Sequence, residues 1–70
     1  MMQGVLNVYR DKVYIVTDTK KEPLHSGQYV YLIVHGCWIP VIVRHSAETG
    51  KWCFQHLEEI EINGQEAAVK

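Results

Sequence analysis

The chain has 70 residues, 47% of them apolar and 21% charged, and a net charge of -1. That is one small domain near the lower size limit for independent folding, not a disordered tail. The charge balance excludes a global field that would recruit nucleic acid or an anionic membrane, though not a local basic patch.

The start, MMQGVLNVYR, lacks a basic segment followed by a long apolar one, so no secretory leader is expected. Val5–Arg10 and Lys12–Asp18 are rich in β-branched and aromatic residues and predict two strands, with a turn around Arg10, Asp11 and Lys12. Thr19–Gly27 (TKKEPLHSG) reads as a polar loop punctuated by Pro23 and Gly27. Two strands then flank His35-Gly36. Ser46–Gly50 is a turn, and Lys51–Gln55 a short strand carrying Trp52 and Phe54. His56–Ile60 suits one helical or 3₁₀ turn. Asn63-Gly64 is a tight-turn dipeptide, and Gln65–Val69 a closing strand. Short strands with tight turns bury an interior most economically by curling, so the expected fold is an all-β, five- or six-stranded SH3-like barrel in a single domain, residues 1–70.

The 15-residue run YVYLIVHGCWIPVIV, Tyr29–Val43, is too short to span a bilayer, and His35, Gly36 and Pro40 interrupt it. No membrane contact is expected. Two cysteines, Cys37 and Cys53, make no disulfide framework and read as reduced thiols in a cytoplasmic protein. If His35-Gly36 is a two-residue hairpin loop, Val34 pairs with Cys37 and the register runs down to Tyr29 with Ile42. One face then carries Val30, Leu32, Val34, Cys37, Ile39, Val41 and Val43, and suits an interior. The other carries Tyr29, Tyr31, Ile33, Trp38, Pro40, Ile42 and Arg44. Tyrosine and tryptophan tolerate half-wet positions, so the aromatic face is expected outward, exposing about 400 Å² or more, the size that marks a partner site. An ordinary alternative stands beside it: the N-terminal hairpin, with Tyr9 and Tyr14, could fold over this face and make it core.

The run LHSGQYVYLIVHGCWIPVIV from Leu24, then KWCFQ, then INGQEAAV, resembles a family of small bacterial proteins of unknown function, about this length, from Firmicutes and their mobile elements. Leu24, Gly27, Gly36, Trp38, Pro40, Trp52 and Gly64 fill the family pattern. Where members follow the proline with Thr-Arg-Ile-Glu, this chain has Val41, Ile42, Val43 and Arg44. The resemblance implies a small β-barrel and a prokaryotic or phage-like origin, and no activity.

Other chemistry is weaker. His25, His35, His45 and His56 with Cys37 and Cys53 invite a metal, but no Cys-x-x-Cys or His-x3-His pair exists, so no metal and no cofactor is expected. Cys53 near His45 or His56 would make a dyad, yet nothing obvious lowers the thiol pKa and the chain has little room for a cleft, so no catalytic residue and no small-molecule substrate is expected. Glu58, Glu59 and Glu61 read as a solvated face. Tyr29, Tyr31, Trp38 and Arg44 are the candidate binding residues. A protein partner or homodimer is the first expectation for them, and single-stranded nucleic acid the second.

Overall fold

A computed structural model of residues 1–70 is all-β. Its strands are β1 (Met2–Tyr9), β2 (Lys12–Val16), β3 (Lys21–Pro23), β4 (Gln28–Val34), β5 (Cys37–His45), β6 (Trp52–Phe54) and β7 (Glu66–Val69). They form one antiparallel sheet in the order β3-β2-β1-β7-β4-β5-β6. No helix is long and apolar enough to cross a membrane.

Two tight loops set the register. His35 and Gly36 both adopt positive φ, 50° and 77°, as a type I′ loop requires. The register from Val34↔Cys37 to Tyr29↔Ile42 follows from that loop and is the one the sequence predicts. Arg10 and Asp11, with φ of 48° and 62°, make the equivalent loop between β1 and β2. Asn63-Gly64 turns the chain into β7. Gly64 takes a φ of 91°, and Gln65 N–H donates to the Ile62 carbonyl at 3.2 Å. The Asn63 side-chain oxygen accepts from Val8 N–H at 2.9 Å, tying this turn to β1.

Three expectations are corrected. There are seven strands, not five or six, because the predicted loop Thr19–Gly27 contains β3. Thr17 folds that loop back: its N–H donates to the Lys20 carbonyl at 2.8 Å and its Oγ1 accepts from Lys20 N–H at 3.0 Å. A three-residue edge strand of Lys, Glu and Pro has no apolar alternation to betray it, and such residues are what edges tolerate. Second, His56–Ile60 is not helical. Leu57 N–H donates to the Phe54 carbonyl and Ile60 N–H to that of Leu57, two separate turns, with His56 at a φ of 67° against a right-handed helix. Third, the sheet is not closed: its end strands, β3 and β6, are not neighbours.

The sheet nonetheless curls. Leu6, Val13 and Ile15 of β1 and β2 share one core cluster with Val30, Leu32, Val41, Val43 and Phe54 of β4, β5 and β6. Trp52 adds a bond across the gap, its Nε1–H donating to the Asp11 carbonyl at 2.8 Å. Phe54 is the largest side chain fully removed from water, and Trp52 packs beside the core while Cys53 points to the other face. Gly4 of β1 packs against the β2 backbone: a Cβ there would run into the Val16 carbonyl oxygen.

The hairpin β4–β5 outruns its cover. Val30, Leu32, Val41 and Val43 are buried as expected, but Val34, Cys37 and Ile39 on the same face are exposed. β7 pairs with β4 only at Tyr31 and Leu32, and the hairpin runs on past the last of these pairs. β6 likewise stops early. Gln55 N–H still donates to the Ile42 carbonyl at 2.8 Å, but the next ladder position is Pro40, which has no N–H to give. Pro40 therefore sits on a free edge.

Two stability tests follow from this packing. Leu32 (3% exposed) and Ile39 (41% exposed) are a cross-strand pair on one face. Leu32→Asp is expected to unfold the domain, because it buries an unpaired charge, whereas Ile39→Asp changes stability by about 1 kcal/mol or less. Gly4→Ala is expected to cost about 3 kcal/mol, the upper end for overpacking. Urea denaturation of the three variants checks all of this.

Candidate functional site

The outer face of β4–β5 is built by alternation alone. On β4 every second side chain from Tyr29 points away from the core, and each is matched across the register on β5: Tyr29 by Ile42, Tyr31 by Pro40, Ile33 by Trp38. Tyr29 is 55% exposed and Trp38 39%; Tyr31, Ile33 and Ile42 are half-buried and Pro40 is exposed. The N-terminal hairpin does not cover them. Tyr9 and Tyr14 stand opposite Lys12 and Asn7 on the β1–β2 wing, so the alternative in which they seal this face is set aside.

The rings touch in sequence. Tyr29 and Tyr31 have centroids 6.0 Å apart at 62°, and Tyr31 and Trp38 have centroids 6.0 Å apart at 44°. Such tilted pairs set the negative face of one ring against the positive edge of the next, which stiffens the set before any partner arrives. Beside Tyr31 on the same face lies a small residue. Ala68 of β7 pairs with Tyr31 on one side and Gln3 on the other, and is fully buried. Beside the rings a groove of about 250 Å³ runs along the β5 edge, lined by Tyr29, Pro40, Ile42, His56 and Leu57 among others.

Arg44 is on the same face but not in the ring cluster. It lies beyond Ile42, opposite Cys53, and donates from Nε (3.1 Å) and Nη2 (2.6 Å) to the Gln55 side-chain oxygen. An amide orients the guanidinium without neutralising it, so the charge stays available. One participant escaped the sequence reading: Lys70, whose Nζ lies 5.5 Å from the Tyr31 ring centroid. Its signal was the alternation of Ala68 with Lys70, the residue just past β7, but that is informative only once β7 is known to pair with β4.

No family model, curated protein or solved structure matches the chain. The resemblance to the small Firmicutes proteins accordingly rests on the residues quoted for it, and the site must be read from its own geometry.

The remaining chemistry-bearing residues do not converge. No three His, Cys, Asp or Glu side chains gather in a group able to hold a metal ion. His45 packs on Trp52, centroids 5.3 Å apart, with Nε2 3.2 Å from the Gly50 carbonyl oxygen. Cys53 and His45 are on adjacent strands but opposite faces, since His45 pairs with Trp52 and Cys53 with Arg44. Both cysteines are free thiols, Cys37 exposed and Cys53 half-buried. Glu58, Glu59 and Glu61 are exposed on the segment between β6 and β7.

The ring cluster is separable from the core energetically. Trp38→Ala is expected to lower stability by about 1 kcal/mol, while Phe54→Ala should cost about 3–5 kcal/mol. Thermal unfolding of both variants measures the contrast.

Proposed function

We propose that this chain is a non-enzymatic interaction module that docks a protein partner, or a second copy of itself, through the outer face of β4–β5. One observation carries the reading: a chain of three rings, Tyr29 on Tyr31 and Tyr31 on Trp38, has both its end rings open to water and its middle ring half-buried. Interface centres are enriched in Tyr, Trp and Arg, and rigid rings lose little entropy when a partner covers them. Tyr29, Tyr31 and Trp38 are the anchors in this account. Arg44 is the polar rim contact, held ready by Gln55. The apolar groove beside Pro40 supplies a place for one partner side chain.

We further read the curled sheet as an SH3-like barrel left open between its end strands. The shared core and the Trp52–Asp11 bond support that description. The resemblance supports a bacterial, mobile-element setting, and reduced cysteines fit a cytoplasmic one.

The test uses full-length protein and Trp38→Ala side by side, in affinity capture from a native-host lysate and in sedimentation velocity across a concentration series. The expected result is a folded Trp38→Ala that loses either a captured protein or a concentration-dependent oligomer shown by the parent chain. A folded variant that keeps both the same captured set and the same sedimentation behaviour contradicts the proposal.

A further inference from the structure

The other wing of the sheet carries a second aromatic cluster of different character. On the outer side of β1–β3, Tyr9 (52% exposed) and Tyr14 share Lys21, whose Nζ is 5.3 Å from one ring centroid and 4.6 Å from the other. Arg10 approaches Tyr9 as well, its Cζ 5.4 Å from the centroid. Lys12 stands directly opposite Tyr9 in the β1–β2 ladder. Register separates these cations from a nearby carboxylate: Glu22 is opposite the buried Ile15, on the inner side of the alternation, while Lys21 is opposite Val16 on the outer side.

Charge is segregated along the chain in the same sense. Residues 9–23 contain four of the 7 cations and three of the 8 carboxylates, so the remaining three cations face five carboxylates. The net charge of -1 hides a wing that is locally positive. The rings of the β4–β5 face, by contrast, have a single cation over them, Lys70 at Tyr31.

We infer that the Tyr9–Tyr14–Lys21 wing is a binding site for single-stranded nucleic acid. A strand alternates flat bases with phosphates, and the wing alternates open rings with cations at matching chemistry. A base stacks on Tyr9, and the flexible cations now resting on the rings swing out to phosphate. An acidic peptide would satisfy Lys21, Arg10 and Lys12 but leave the Tyr9 face bare. The site is on the opposite wing from the protein-docking face and does not depend on it.

The experiment is fluorescence anisotropy of a labelled oligothymidylate of roughly 20 nucleotides, long enough to cover one small barrel. About three phosphate contacts on a single strand give a log–log salt slope of about −2, so a tenfold rise in salt should weaken binding roughly a hundredfold. Tyr9→Ala should weaken it about tenfold, within the range for one lost base stack, and Lys21→Glu by at least as much, while Trp38→Ala leaves it unchanged. Polyglutamate of matched charge should compete poorly. The inference is overturned by no binding at low salt, by binding that survives Tyr9→Ala and Lys21→Glu, by loss in Trp38→Ala alone, or by polyglutamate competing as well as the oligonucleotide.

Discussion

The structure depends on a two-residue loop. His35-Gly36 holds β4 and β5 in one register, and that register decides which half of the apolar run is sealed and which meets water. A slip of one residue would turn one strand's side chains over relative to the other's, setting either Tyr29 and Tyr31 or Trp38 into the core. Rings of that size would not fit where the core now has branched aliphatics around one Phe54. The turn chemistry and the volume of the interior thus select the same pairing, and agreement between local and global preference is what makes one state win.

A chain of this size has little stability to spare, so each device that closes the curled sheet counts. The core cluster is 12 residues, all apolar, and no buried side-chain polar atom lacks a partner. Trp52 serves on both accounts, with its ring beside the core and its N–H on the Asp11 carbonyl. Pro40 has the opposite effect. It ends the β5–β6 ladder and leaves a free edge, while its missing N–H makes that edge a poor template for strand addition. The ring cluster is next to that edge.

Much of this was legible in the residues. Period-2 alternation on Tyr29–Val43 separated the two faces of the long hairpin. Three features were not legible, each for a physical reason. β3 has no apolar alternation, because an edge strand of Lys, Glu and Pro is written to avoid pairing rather than to bury anything. The exposed tip at Val34, Cys37 and Ile39 has the composition of core, and alternation along one hairpin does not reveal where the rest of the core ends. Lys70 meets Tyr31 only because β7 pairs with the distant β4, and Lys21 reaches the Tyr9 and Tyr14 rings only because the segment read as loop pairs with β2 as β3. The candidate site residues fared similarly. Tyr29, Tyr31 and Trp38 come together through alternation, but Arg44 keeps apart because it is one pair further along β5 and taken by Gln55.

All of these features rest on aliphatics inside and rings outside the long hairpin. Side-chain NMR with an inert, soluble paramagnetic agent reads that polarity in one titration, since relaxation grows with access to solvent. The account predicts strong broadening of the Tyr29 and Trp38 ring signals while the Val30, Leu32 and Val43 methyl signals persist. Broadening of those methyls with the rings protected would contradict it.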